Sequence, residues 1–285
     1  MSGLGESRAG GGIVSLAVAS GKGGVGKTNV VINLAVTLAR QRHRVAVLDA
    51  DFGLGNVDVL LGLAPNLHLG HFLSGERELD EIIVEGPEGI RIIPASSGLR
   101  QLTALTPRQW SRLIAGLTRL TGELDFLLID TAAGIADNVM AMLQASDRVL
   151  VVTSPEPPAV VDAYALIKVL TASAPMKDVG LLVNGARDAR EADVVFRQLE
   201  MAVTRFLNRR VRSYGFIAQD AAVREAVCQQ RPVVCEHPRS PASLCFRVLA
   251  SQIAGLRPLG GSGLRPPRSA PLSGDTVDLE APQCA

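Results

Sequence analysis

The segment Gly21-Lys22-Gly23-Gly24-Val25-Gly26-Lys27-Thr28 constrains this chain more than any other. It fits G-x-x-x-x-G-K-[ST] and stands between an apolar β-branched run, residues 13–20, and a stretch of helical spacing from Thr28 to about Arg40. Glycines let successive backbone N–H groups turn inward around an anion, and the start of the following helix adds positive potential. Lys27 is placed to reach the β- and γ-phosphates, and the Thr28 hydroxyl to ligate Mg²⁺. The spacing therefore predicts a nucleoside triphosphate site whose cradle is Gly21 to Thr28, with Asn29 beside it.

After this loop, short β-branched runs alternate with longer amphipathic stretches. The runs are RVAVLDAD (44–51), GIRIIPAS (89–96), DFLLIDT (125–131), RVLVVTS (148–154), VGLLVNG (179–185) and RSYGFIA (212–218). Helices are expected near 108–120, from 137, and over 159–170, 191–209, 221–228 and 241–254. Strand then helix, repeated, predicts an α/β fold: a mainly parallel sheet with helices on both faces. DFLLID and RVLVVT are nearly continuous apolar and belong in its middle. The first twelve residues hold five glycines and read as a flexible leader, and residues 257–285, dense in Pro, Gly and Ser, as a disordered tail. One domain over 13–256 is expected between them.

Net charge is +1, which argues against the basic field of a protein that coats DNA. No apolar run is long enough to span a membrane, so a cytoplasmic chain is expected. Four cysteines (228, 235, 245, 284) have spacings of neither a metal pair nor a disulfide scaffold. Lysine is scarce, at 22, 27, 168 and 177, and two of the four lie in the glycine loop. That imbalance points to a site.

Carboxylates and one amide complete the candidate site. Asp49 and Asp51 end a strand, where ligands of open α/β sheets collect, and with one residue between them they point to the same side if the strand continues. Asp130 ends the apolar run DFLLID, an arrangement that delivers one carboxylate to the hydration shell of Mg²⁺. Asn184 ends another strand; its amide suits an adenine edge, and a plain turn asparagine is the alternative.

Lys22 to Thr28, KGGVGKT, resembles the deviant Walker A motif of MinD, ParA and Mrp-type P-loop ATPases. The resemblance implies a MinD-like fold and a homodimer that sandwiches ATP and Mg²⁺. In it Lys22 reaches across to the partner's phosphates, Asp51 orients the attacking water, and Asp49 supports the metal and phosphate shell. Asn56 falls in one switch segment. Gly134 senses the γ-phosphate through its N–H within a second switch at 131–135, Asn184 meets the adenine, and Glu156 faces the dimer seam. Ala218 stands where the family has proline, implying a looser turn near the base.

Four further stretches, 49–63, 130–139, 160–170 and 223–243, are similar to the flagellar-number regulators of the FleN/FlhG branch. That branch implies a slow, dimer-dependent ATPase acting on a FleQ-like transcription activator or the GTPase FlhF, with a station at the cell pole or membrane. The tail shows no evident basic amphipathic helix for membrane docking. Alternatives within the family are division-site placement and DNA or plasmid partition, the latter needing the arginines of RFLNRRVR (205–212) to face nucleic acid. An iron-sulfur carrier would need paired cysteines.

Overall fold

The computed structural model describes residues 12–53, 55–95, 105–258 and 264–265. In chain order the elements are β1 (Val14–Ala19), α1 (Lys27–Arg40), β2 (Val45–Ala50), α2 (Val57–Leu60), α3 (Leu69–Ser74), α4 (Leu79–Ile82), β3 (Val84–Glu85) and β4 (Arg91–Ile93). Then follow α5 (Pro107–Arg119), β5 (Phe126–Thr131), α6 (Asp137–Ala145), β6 (Arg148–Thr153), α7 (Pro157–Ser173) and β7 (Asp178–Ala186). The last are α8 (Ala189–Leu207), β8 (Arg212–Ala218), α9 (Ala221–Cys228), α10 (Val233–Glu236) and α11 (Pro241–Ala254).

Eight strands form one sheet in the order β3-β4-β2-β5-β1-β6-β7-β8. All pair in parallel except β3, which runs antiparallel to β4. The runs expected in the middle, β5 and β6, flank β1 there. Every residue of β1, β2, β5 and β6 is buried, as continuous apolar strands require when both faces are covered. Side chains alternate between two cores. Val14, Leu16 and Val18 of β1 join one with α1, α10 and α11; Ala17 and Ala19 join the other with α3, α5, α6, α7 and α8. Each fully buried Val or Leu stabilises the fold by about 1.5–3 kcal/mol relative to exposure.

The seven strands and seven longer helices expected from periodicity are all present. Additional are β3 and the helices α2, α3, α4 and α10, each of two to six residues. They are too short to show a period. Leu264 packs beyond the expected boundary at 256: it is buried in the second core and bridges to Ser146. Residues 1–11 of the leader and most of the tail lie outside the described residues.

Close packing of β7 on β8 gives a direct test. A Cβ on Gly180 would lie 2.2 Å from the ring of Tyr214, which is buried and cannot swing away. Gly180→Ala is expected to lose about 1–3 kcal/mol in urea unfolding. Gly122→Ala, whose methyl meets nothing within 4 Å, should change stability by less than about 0.5 kcal/mol.

Candidate functional site

Parallel strands deliver their carboxyl ends to one edge, and there the glycine loop turns from β1 into α1. Gly26, the residue before α1, has φ +89°, and a Cβ on it would sit 2.4 Å from Nδ2 of Asn184. Gly21 packs as tightly, since a Cβ would reach within 2.0 Å of the carbonyl oxygen of Asp162 in α7. The loop is thus wedged between α7 and the end of β7. Asn184 fixes it further by donating from Nδ2 to the carbonyl of Val25 at 2.7 Å.

Lys27 opens α1 and is 9% exposed. Burial lowers its pKa, while the charges of Asp130 and then Asp51 oppose that shift. Asp130 and Asp49 are register partners on neighbouring strands, both buried. Burial, reinforced by the nearby Asp130, raises Asp49 to about 8. Asp130 is raised to about 7, again chiefly by burial, against the Thr28 hydrogen bond and the charge of Lys27. Two carboxyls held this far above their ordinary range mark a place short of positive charge.

Their oxygens divide the work. Asp49 accepts from the backbone N–H of Asp51 on Oδ1 at 3.0 Å and of Val57 on Oδ2 at 3.2 Å. It therefore anchors the segment from β2 to α2, and both its oxygens are engaged. Asp130 differs: its Oδ1 is buried with no hydrogen-bond partner. An orphaned acceptor beside the Thr28 hydroxyl suits a hard cation such as Mg²⁺, directly or through its water.

Lys22 stands apart from this cluster. Its Nζ lies 2.7 Å from Oε2 of Glu156, the residue before α7. The side chains are 37% and 65% exposed, so the pair is worth at most about 1 kcal/mol. Gly134 donates its N–H to the carbonyl of Ser20 at 2.8 Å, and Ser20 Oγ donates to the carbonyl of Lys22 at 2.7 Å. Ser20, which motif reasoning passes over, thereby links segment 131–135 to the loop. Its one sequence signal is its place at the strand end before the first glycine.

A cleft of about 540 Å³ opens beside the loop, with Asn184, Gly185, Arg187 and Gln219 on one side and Glu156 on the other. Gln219 N donates to the Ala186 carbonyl at 2.8 Å, and Asp220 accepts from the N–H groups of Ala222 at 2.9 Å and Ala242 at 3.1 Å.

A ParA family model, described as NUBPL iron-transfer P-loop NTPase, matches residues 14–254. The chain belongs to the ParA family of P-loop NTPases. The antiactivator FleN of Pseudomonas aeruginosa is 44% identical to it over 238 residues, 84% of this chain and 85% of that one. The flagellum site-determining protein YlxH of Helicobacter pylori is 37% identical over 184 residues, 65% and 62% of the two chains. Among solved structures, the septum site-determining protein MinD of Pyrococcus horikoshii, complexed with Mg-ADP, superposes with a TM-score of 0.70. It is 25% identical, and the match covers 85% of this chain and 96% of that one.

Within this ParA-family fold, Lys27, Thr28, Asp51 and Asp130 come together and Asn184 adjoins the loop, while Lys22 is drawn to Glu156. The raised carboxyls fix a pH dependence. Below about pH 4 both folded and unfolded chains hold the proton of Asp49. As pH rises the unfolded chain releases it first, so the stabilisation is lost progressively and is gone above the folded pKa of about 8. The nucleotide-free protein should therefore melt at lower temperature as pH rises from about 5.5 to 8.5, and less steeply in Asp49→Asn. Parallel melting profiles would show Asp49 ionised throughout.

Proposed function

We propose that the chain is an ATP-binding, slowly hydrolysing dimerisation switch that controls flagellar number. The observation that carries the switch is the separation of the two loop lysines. Lys27 is buried among Asp130 and Asp51, whereas Lys22 stands on the open rim in a weak ion pair. A rim cation so loosely held is available to a second subunit. Ile135, in segment 131–135, and Val161, next to the Asp162 that packs on Gly21, are exposed apolar residues beside the same rim and suit a seam.

In this mechanism the backbone N–H groups of residues 23–27 hold the phosphates, and the Lys27 ammonium neutralises the β- and γ-oxygens. Thr28 and Asp130 would hold Mg²⁺, which would supply charge neutralisation as phosphoryl charge develops. Asp51 accepts a hydrogen bond from the attacking water and aims it in line with the breaking bond. Lys22 of the other subunit stabilises the charge that builds on the transferred group. Gly134 exchanges its bond to Ser20 for one to the γ-phosphate, and its release after hydrolysis returns the segment to the arrangement described here. Asn184 and the cleft beside it take the adenine.

The flagellar branch rests on the likeness to FleN and YlxH, whose names describe an antiactivator and a flagellum site-determining protein. The dimer's composite surface then restrains a FleQ-like transcription activator, or acts with FlhF. Division-site placement, as the name of the septum site-determining protein MinD describes, or DNA partition is the second reading. For DNA binding, part of the arginine stretch is already committed: Arg209 donates to the Lys177 carbonyl at 3.4 Å. The cysteine spacing disfavours an iron carrier. No described helix is long and apolar enough to cross a membrane.

Asp51→Ala is expected to retain ATP and accumulate dimer. Lys22→Ala should bind ATP yet stay monomeric, with turnover reduced by about 10³-fold, the scale of a cation supplied in trans. Light scattering with ATP and Mg²⁺ decides: equal dimer fractions in the parent and both variants would refute the switch. Affinity capture with Asp51→Ala then separates activator, GTPase and DNA as partners.

A further inference from the structure

Arg108, Arg112 and Arg119 share one face of α5, beside the face that buries Leu113, Gly116 and Leu117. They line a groove of about 530 Å³ between α5 and the α3–α4 turn, with Phe72, Leu73 and Gly116 in its wall. Gly116 permits the close approach, since a Cβ there would lie 2.7 Å from Phe72 Cζ. Arg112 is fixed: Nε donates to the Phe72 carbonyl at 2.6 Å, Nη2 to the Arg77 carbonyl at 3.1 Å, and the guanidinium lies 4.7 Å over the Phe72 ring.

Glu78 is the one carboxylate in the described lining. It is shared between Arg112 at 3.3 Å and Arg119 at 3.2 Å. Arg108 is exposed and makes no ion pair or side-chain hydrogen bond among the described residues. Three guanidiniums against one carboxylate leave net positive charge along an apolar wall. The matching ligand is a peptide that alternates carboxylates with apolar side chains.

The chain carries such a sequence. Residues 275–280 read Asp-Thr-Val-Asp-Leu-Glu, and no basic residue follows Arg268. The chain also approaches the groove's side of the sheet. Arg265 donates its N–H to the Ala145 carbonyl at the end of α6, and Leu264 is buried in the core that holds Leu113 and Leu117 of α5. From there residues 266–274 can span up to about 30 Å.

We propose that this groove is a docking site for an acidic peptide and that its occupant is the chain's own residues 275–280. A contact of this kind is occupied in cis and opened by salt or by a competing acidic partner. The probe is a fluorescent peptide of residues 273–282, measured by anisotropy on the full chain and on Asp275→Asn/Asp278→Asn/Glu280→Gln. The neutralised chain should bind it at least about tenfold tighter than the parent, because its own segment no longer competes.

Binding should weaken by about tenfold between roughly 50 and 300 mM salt and be lost when Arg108→Glu is added. Arg108→Ala, which removes no described contact, repeats the test with less perturbation, and circular dichroism checks that each variant is folded. Equal affinity for the parent and neutralised chains would overturn the cis occupant. Binding that ignores Arg108 and salt would overturn the groove.

Discussion

Two carboxylates placed level on adjacent buried strands set the terms for the whole active edge. β2 and β5 pair so that Asp49 stands beside Asp130, deep in a sheet covered on both faces. An apolar sheet edge has no reason to hold two such groups, and their cost must be offset locally. Backbone N–H groups hold Asp49, and Thr28 with the charge of Lys27 holds Asp130. The orphaned Oδ1 of Asp130 is the part left uncompensated. That is where added positive charge gains most, so the protein is built to favour cation and triphosphate together over either alone.

Much of this edge was legible because it is local. The loop pattern, its strand and its helix are contiguous, and each strand-end carboxylate is announced by the apolar run before it. Contacts across the chain were not legible. Lys22 meets Glu156 and Gly21 meets Asp162 only because α7 packs over the loop, and no spacing rule reports that. Asp49 shows the same limit. Its position was readable from sequence, whereas the engagement of both its oxygens by the following turn depends on how that turn folds back. Scarcity of lysine was a partial guide, for Lys177 proves structural: its ammonium bonds the carbonyls of Gln144 and Ser146 at the end of α6.

Ser20 gives the edge its mechanical unity. Through its carbonyl it holds Gly134, and through its hydroxyl it holds the backbone of Lys22. A change at either segment is therefore felt by the other without any motion of the sheet, whose strands are too tightly packed to deform. The loop is equally confined by Asp162 and Asn184, so the compliant parts are the segment around Gly134 and the side chain of Lys22.

The energetics of Lys22 follow from that division. Its pairing with Glu156 is largely exposed and screened, so removing the ammonium from this partner costs at most about 1 kcal/mol. In the proposed dimer a triphosphate would offer several negative oxygens in a site that excludes water as two surfaces close, where the same charge interaction is much stronger. On the proposed dimer switch, that balance would favour transfer whenever a second loaded subunit is present and would reverse once the γ-phosphate leaves. A strong, buried Lys22–Glu156 pair would have locked the chain as a monomer; an unpaired lysine would have left closure without a competing state. The weak, solvent-facing pair is what the proposed switch requires, since it would leave nucleotide state to decide between the two.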